Sequence, residues 1–211
     1  FEFINMGLNN LEKEILQQKE MYLDQNNLLL SMQLSQWLKY NKMPNNPEKI
    51  VALNKDCIYL VASITFDSPE ELFFEHNTEG IEQNISISKF IIENILSEML
   101  DKLTLTNKII EFEDSIVSII SFCEGYDYKN KLNKVFEDIS STVQKHFNLS
   151  LNYFCSSPYS SYEMLHQAFT ESAALLYHEK YAGECHFYDD INSSNDNINI
   201  QLTHYYKRLY A

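Results

Sequence analysis

The stretch IIEFEDSIVSII, residues 109–120, contains two short apolar runs separated by Glu113, Asp114 and Ser115. β-Branched residues dominate both runs, and such runs on either side of a polar turn predict a β-hairpin over about 107–122. Acidic residues at the tip of a hairpin can hold a metal ion for nucleotide chemistry, or they can simply keep a turn in water. The flanking elements and the composition of the turn decide between these interpretations.

The segments before the hairpin predict one strand and one amphipathic helix. CIYLVASITF at 57–66 is rich in β-branched and aromatic residues, as expected for a mostly buried strand. A polar loop with a short helix at 69–74 follows. Residues 86–103 begin at Ser86, a favourable helix N-cap, and show helical apolar spacing. The predicted buried face comprises Phe90, Ile91, Ile95, Leu96, Met99 and Leu103.

The segments after the hairpin predict a helix, a strand, a second helix and a last strand. The predicted ranges are 128–147, 149–155, 160–181 and 185–191. In the helix 160–181, Ser160 or Ser161 is the expected cap, and Gly183 lies just beyond the end. The apolar face of the first of these helices comprises Leu132, Val135, Phe136, Ile139, Val143 and Phe147. The order β–α–β–β–α–β–α–β predicts the α+β class, with a mostly antiparallel sheet flanked by helices in the ferredoxin-like or nucleotide-cyclase manner.

A long helix is predicted ahead of these elements, because residues 8–42 contain neither Pro nor Gly and Pro44 follows. Two seven-residue series run along it, Leu8, Ile15, Tyr22, Leu29 and Leu11, Gln18, Gln25, Met32. A second apolar stripe comprises Leu16, Leu23, Leu30 and Trp37. We expect Trp37 to press the end of the helix onto the domain, whose own apolar faces are expected not to include it. One stripe can pair with a second copy as a weak homodimer while the other rests on the following domain. The alternative is an ordinary amphipathic helix packed only on its own domain.

Bulk composition disfavours several classes of function. Thirty Asp and Glu against sixteen Lys and Arg give a formal net charge of −14, which disfavours binding to nucleic-acid phosphates. No apolar run approaches the roughly 20 residues that cross a bilayer, and we expect a cytoplasmic protein without membrane contact. The four cysteines follow no paired spacing and are expected to be reduced. Because the chain begins without Met, we expect it to be a piece of a longer protein.

Residues 160–191 read SSYEMLHQAFTESAALLYHEKYAGECHFYDDI, a Ser-rich turn followed by a helix, Gly183 and a short aromatic strand. The characteristic positions are Ser161, Tyr162, Ala168, Ala173, Ala174, Leu175, Tyr177, Gly183 and 187–191. This pattern resembles the degenerate GGDEF-like domain of bacterial transcription regulators of the AraC/XylS family, including the YesN-type response regulators. The preceding helix, with LLLSMQLSQWL at 28–38, resembles the linker ahead of the domain in that family.

The resemblance implies the GGDEF fold of diguanylate cyclases and bears directly on the hairpin. Active cyclases carry Gly-Gly-Asp/Glu-Glu-Phe in this turn, where the glycines let the backbone approach the guanine nucleotide and an acid helps to hold the metal. The corresponding turn here, EFEDSIV at 111–117, has no glycine. Ser63 and Thr65 stand where carboxylates are expected on the first strand, and Asp67 comes late. We therefore interpret the two acids of the turn as solvated turn residues.

Other candidate sites carry weaker signals. His178, Cys185 and His186 lie close together in the sequence but lack the paired short spacings of a zinc site. No serine-hydrolase or phosphate-loop motif occurs, and four glycines are too few for phosphate-cradling loops. The sequence therefore predicts no catalytic residue, no cofactor and no metal ion.

Together these features predict three segments and a regulatory function. Residues 1–45 form a linker or signalling helix, residues 46–192 the degenerate GGDEF-like domain, and residues 193–211 a linker with the start of a following helix. By resemblance, the module transmits a signal, helps to dimerise the protein or binds an unknown small effector. A separate C-terminal helix-turn-helix region outside this sequence binds DNA. The alternative is an active or residual GTP-binding enzyme of the diguanylate-cyclase type.

Overall fold

The computed structural model describes residues 25–48, 57–74, 80–103, 105–112, 115–176 and 185–192. Some of the predictions concern residues outside these ranges. They are the positions from Leu8 to Tyr22 in the two seven-residue series, the turn acids Glu113 and Asp114, the helix end near Gly183, and the linker and helix at 193–211.

Five strands form one mixed sheet at the centre of the described structure. They are β1 (Cys57–Asp67), β2 (Thr106–Glu111), β3 (Ile116–Cys123), β4 (Ser150–Cys155) and β5 (Cys185–Phe187). Their order across the sheet is β2-β3-β1-β4-β5, and every pair is antiparallel except β4 and β5, which are parallel. The predicted hairpin is confirmed, because β2 pairs with β3 from Thr106 opposite Ser121 to Glu111 opposite Ile116.

Helices cover both faces of this sheet. They are α1 (the described residues 25–40), α2 (Ile81–Lys102), α3 (Tyr128–Phe147), α4 (Leu165–Leu176) and α5 (Tyr188–Asn192), with short 3-10 segments at Pro69–Phe74 and Tyr162–Met164. The α+β class and the mostly antiparallel sheet flanked by helices are therefore confirmed. Among the described helices, none combines the length and the apolar character that a membrane crossing needs.

One face of the sheet packs against α2 and α3 and forms the larger core. β1 points Leu60, Ala62 and Ile64 to this face, at the two-residue spacing of a strand. The predicted apolar face of α3 is confirmed, because its three- and four-residue spacing turns one side of the helix to the sheet. Its buried residues are Leu132, Val135, Phe136, Ile139 and Val143, with Phe147 packed at the margin.

The opposite face packs against the end of α1 and against α4. β1 turns Tyr59 and Val61 to this side, so both of its faces are buried, which accounts for its nearly continuous apolar sequence. The buried cluster on this side, which we call the second core, comprises Leu34, Trp37, Leu38, Tyr59, Val61, Ile110, Val117, Ile119, Leu165, Ala168, Phe169 and Ala173. The end of α1 is thus part of a core and not an appendage beside it.

The prediction for α2 was wrong at its start and in part of its buried face. The helix begins at Ile81, after Gly80, and Ser86 lies inside it with its hydroxyl donating to the Glu82 carbonyl at 3.2 Å. Phe90 is 66% exposed. The buried residues are Ser88, Lys89, Ile92, Leu96 and Leu100, while Ile91, Ile95, Met99 and Leu103 are partly buried. Packing against the sheet rotates the helix so that Ser88, Ile92, Leu96 and Leu100, which are spaced by four residues, face the core. A possible cap such as Ser86 indicates where a helix begins but not which side of it is buried.

The last predicted helix begins later than expected, and the last predicted strand is shorter than expected. Regular helix in α4 runs from Leu165, after the 3-10 turn Tyr162–Met164, to Leu176, and residues 177–184 lie outside the described residues. The final strand ends at Phe187 and not at 191, because its partner β4 ends opposite it at Cys155. The chain then enters α5, whose first turn contains Asp189 and Asp190, acids that suit a helix N-terminus.

Candidate functional site

The hairpin turn and the end of β1 lie at the same end of the sheet. Ile64 of β1 is paired with Ile116, the first residue of β3, so Asp67 lies beside the turn. Asp67 is exposed and accepts a long hydrogen bond of 3.4 Å from the Asn152 side chain on β4. Thr65 is paired with the same Asn152. This end of the sheet is where the resemblance places nucleotide chemistry in an active cyclase.

The resemblance puts Ser63 and Thr65 at carboxylate positions of a cyclase, and Ser63 contacts α4 here. Ser63 is buried, and its hydroxyl lies 2.9 Å from the Ser172 hydroxyl of α4. Thr65 lies two residues further along β1, on the same face as Ser63, and is partly exposed. Within the described ranges, which exclude the two turn acids, no group of three or more His, Cys, Asp and Glu residues is placed to hold a metal ion. The packing of α4 thus covers Ser63.

Phe112, the last described residue before the turn, contacts three helices. Its ring stacks on Phe169 of α4, with centroids 5.2 Å apart and planes 21° apart. The Lys39 amine of α1 lies 5.2 Å from the centroid of the same ring, within cation–π range. The Lys89 amine of α2 donates a hydrogen bond to the Phe112 carbonyl, and the Phe112 amide donates to Ser115 across the turn at 2.8 Å. Phe112 thus connects all three helices to the position just before the hairpin turn.

Trp37 anchors the end of α1 to the second face of the sheet. It is fully buried, as are Leu34 and Leu38, and its ring meets Tyr162 edge to face at a centroid distance of 6.3 Å. The prediction that Trp37 presses the helix end onto the domain is confirmed. The accompanying expectation, that the apolar faces of the domain do not include this residue, is wrong, because Trp37 belongs to the same buried cluster as Tyr59 and Val61.

The end of α1 is held by its backbone as well as by its side chains. The helix ends at residue 40, and Asn41 adopts the left-handed conformation (φ 54°) with its amide donating to the Trp37 carbonyl at 2.9 Å. Asn is one of the few side chains that tolerates this conformation, which closes a helix. A ring nitrogen of His166 on α4 lies 2.7 Å from the Leu38 carbonyl. We call Trp37, Leu38 and Lys39 with Phe112, His166 and Phe169 the α1 joint.

A buried carboxylate that the sequence analysis missed lies beside this joint. Glu171 of α4 is 5% exposed and accepts hydrogen bonds from the Ser157 amide, at 2.9 Å, and from the Tyr159 hydroxyl. Tyr159 is bridged by its backbone to Tyr59 of β1. Burial raises the pKa of the Tyr159 phenol, and the adjacent Glu171 carboxylate adds to the rise. The sequence contained a signal for this buried acid, because Glu171 lies on the apolar side of a predicted helix and that helix follows a Ser-rich turn.

The predicted cap and the candidates Cys185 and His186 take structural positions, whereas His178 lies outside the described residues. Ser161 accepts a hydrogen bond from the Glu163 amide at 3.2 Å, as predicted for a cap. Cys185 packs with the larger core, 3.9 Å from the Cys155 sulfur, whereas His186 stacks on Phe154. Neighbouring residues of a strand point to opposite faces, so Cys185 and His186 cannot bind one ion together.

Comparison with known proteins leaves the family resemblance as a prediction. No protein-family model, no curated protein sequence and no solved structure matches this chain.

Proposed function

We propose that this chain is a non-catalytic regulatory module of a bacterial AraC-family DNA-binding transcription regulator, built from a linker helix and a degenerate GGDEF-like domain. The order of elements supports this proposal. β1 to β4 with α2 and α3 run β–α–β–β–α–β, and β1 lies between β3 and β4, which is the arrangement of a ferredoxin-like or cyclase-like sheet.

The observation that carries the proposal is the α1 joint. Trp37 and Leu38 are fully buried in the second core, and Lys39 reaches the hairpin at Phe112. Packed cores resist continuous deformation and tend to switch between discrete arrangements. A shift or rotation of α1 must therefore either repack this core or be transmitted to the sheet and the hairpin. A module that passes a signal between a helix and a domain needs this kind of rigid connection.

The chemistry at the hairpin end supports a regulatory role over an enzymatic one. The turn 111–117 lacks the glycines that let a cyclase approach its nucleotide, and Ser63 is paired with Ser172 under α4. The net charge of −14 disfavours DNA binding by this module itself. A separate C-terminal helix-turn-helix region that binds DNA is what the resemblance implies. Binding of a small effector by this module is part of the proposal and rests on the resemblance alone.

A nucleotide assay separates this function from the cyclase alternative. The chain is incubated with GTP and Mg²⁺ or Mn²⁺, with an active diguanylate cyclase as the positive control, and cyclic di-GMP is measured. We expect no product above the level without protein, because the turn lacks glycine and β1 lacks paired acids. Product formation that disappears in Asp114→Ala would establish the enzymatic alternative. Product that persists in Asp114→Ala would point to a contaminating enzyme, which repeat purification must remove before the expectation is judged.

A further inference from the structure

The strand β2 forms one edge of the sheet. It has β3 on one side, and no strand of the described residues pairs with its other side. The pairing with β3 continues to Phe112, whose amide donates to the Ser115 carbonyl. Residues of an antiparallel pair direct their backbone groups alternately toward the partner and away from it, so those of Asn107, Ile109 and Glu111 point outward. β2 thus offers the backbone groups of these residues to a further strand.

A groove runs along this edge, with α1 on one side and α2 on the other. It consists of two adjoining cavities of about 540 and 380 Å³, which share Glu93 of α2 and Ile109 of β2. Leu28 and Met32 of α1 line the larger cavity, and Phe90 of α2 lines the smaller one. These three apolar side chains are 63%, 54% and 66% exposed, so an extended segment can reach them. We call the two cavities together the β2 groove.

Two acids lie close together in the β2 groove. Glu93 is partly buried, and burial together with the nearby Glu111 carboxylate raises its pKa, while Lys108 opposes the rise. Within the described ranges, neither carboxylate forms an ion pair. A basic side chain placed beside both relieves their repulsion and is attracted by both charges. The β2 groove therefore favours an occupant with positive charge.

We propose that the β2 groove binds an extended segment of another protein, which pairs with β2 as an added strand and places a Lys or Arg side chain beside Glu93 and Glu111. In this mode of recognition, backbone hydrogen bonds supply affinity and alternate side chains supply specificity. Ile109 packs on the larger core, on the α2 side, and Ile110 packs in the second core, on the α1 side. Glu111 shares the side of Ile109. The basic residue therefore lies on the α2 side of the added strand, and its sequence neighbours face Met32 on the α1 side.

A second copy of the chain is a poor occupant of the β2 groove. A second groove brings the same two carboxylates to the interface, and two chains of net charge −14 repel one another. Lys108 on the edge also disfavours pairing between two copies of β2, since charged edge residues protect against self-association. A basic segment is instead attracted, and its binding should weaken as the salt concentration rises.

Selection from a phage-displayed library of random short peptides tests the β2 groove on the complete chain. We expect the enriched peptides to carry Lys or Arg flanked by apolar residues. The most enriched peptide is then synthesised with a fluorescein label, and its Kd is measured by fluorescence anisotropy. Asn107→Pro should weaken this binding at least about tenfold, because it removes an outward amide while leaving the bonds to β3. Asn107→Ala is the matched control, since it loses the same side chain, with its hydrogen bond to Asp101, and keeps the amide.

Charge variants test the basic residue of the peptide without a change in the backbone. Glu93→Gln and Glu111→Gln should each weaken binding roughly two- to tenfold, because each removes a charge beside the cation of the peptide. Glu137→Gln makes the same change on the exposed side of α3 and should leave the Kd unchanged. If circular dichroism shows that Asn107→Pro is unfolded, these variants decide.

Several outcomes overturn the inference. They are a selection that enriches no basic peptide, a folded Asn107→Pro that binds as tightly as Asn107→Ala, and binding by both Gln variants in the groove that equals that of Glu137→Gln. A dimer of the chain without peptide, dissociated by Asn107→Pro in sedimentation equilibrium, assigns the edge to a second copy and also overturns it. The inference goes beyond the proposed function, and because neither binding assay involves GTP, the two fail independently.

Discussion

Phe112 joins parts of the chain that lie far apart in the sequence. Its ring contacts Phe169 and the Lys39 amine, and its carbonyl accepts from Lys89. Lys39 and Phe169 are 130 positions apart (169 minus 39), so no local sequence pattern indicates that both contact Phe112. This residue directly connects α1 with the position just before the turn, and its own amide hydrogen bond to Ser115 provides a probe of the turn.

Lys39→Ala should loosen the hairpin turn measurably. A partly exposed cation–π contact contributes about 0.5 to 1 kcal/mol, which corresponds to an increase of roughly two- to fivefold in the equilibrium constant for opening of the turn. Hydrogen exchange of the Phe112 amide should rise by that factor. Lys42→Ala is the matched control, because the Lys42 amine lies 5.8 Å from the Tyr40 ring, away from the turn. Equal exchange at Phe112 in the two variants contradicts the coupling.

Glu171 shows what residue-level reading overlooks. Glu171 lies among the buried residues of α4, whereas an acidic residue of a helix is ordinarily expected to face solvent. The turn before the helix brings the Ser157 amide and the Tyr159 hydroxyl to the two carboxylate oxygens, and these hydrogen bonds compensate the burial. The network ties the turn between β4 and α4 to β1, since Tyr159 also bridges Tyr59.

At the scale of elements, α1 presents one stripe to the sheet and another to solvent. The buried stripe ends at Trp37 and Leu38, and the exposed one at Leu29 and Met32. The sequence predicts both stripes, because each repeats at about seven residues, but it does not say which one the domain uses. The domain takes the stripe with Trp37, whose aromatic surface fills the space beside Tyr59 and Tyr162.

Trp37→Ala should destabilise the whole domain and not only the helix. Removing a buried aromatic side chain lowers the free energy of unfolding by about 3 to 5 kcal/mol. Urea unfolding followed by circular dichroism measures the loss, and faster hydrogen exchange is expected in β1 and β3 as well as in α1. In the wild type, the fluorescence of this single tryptophan should be blue-shifted and poorly quenched, since its side chain is fully buried.

Phe90→Ala is the control for that experiment, because Phe90 is a large aromatic that is 66% exposed. Surface substitutions usually change stability by no more than about 0.5 kcal/mol. If Trp37→Ala proves as mild as Phe90→Ala, or if the wild-type emission is red-shifted and freely quenched, the anchor is not at Trp37.

At the scale of the whole molecule, one sheet holds a core on each face and β1 connects them. Tyrosines lie on both sides: Tyr153 points into the larger core, where it stacks on Phe136, and Tyr159 lies near the second. Burial raises the pKa of both phenols well above the ordinary value, although a hydrogen bond from Ser140 opposes the rise at Tyr153. The folded state therefore favours the protonated forms.

Stability should fall in alkaline solution for this reason. Below pH about 10 the phenols are protonated in both states, and their contribution is fully present. As the pH rises above about 10, the unfolded chain loses protons that the folded chain keeps, so the free energy of unfolding decreases. Urea unfolding between pH 8 and 11 measures the slope, which should be shallower in Tyr153→Phe. An equal slope in Tyr153→Phe contradicts the assignment.

Much of the fold follows from the sequence alone, because periodicity is a local property. Runs of β-branched and aromatic residues predicted β1 and the β2–β3 hairpin, and spacing by three and four residues predicted the buried side of α3. The Ser161 cap and the Trp37 anchor also follow from nearby residues. The absence of glycine from the hairpin turn is likewise a fact of sequence, and it bears on the proposed function without any coordinates.

The rest was decided by tertiary structure, because it depends on which surfaces meet. The start and rotation of α2 were set by packing on the sheet, which overrode the local signal of Ser86 and left Phe90 exposed. β5 ends at Phe187 because β4 offers no further partner. The Ser63–Ser172 and Glu171 contacts join residues brought together only when α4 folds over β1. A one-dimensional pattern specifies that a side chain is buried, whereas only the assembled layers specify its partner.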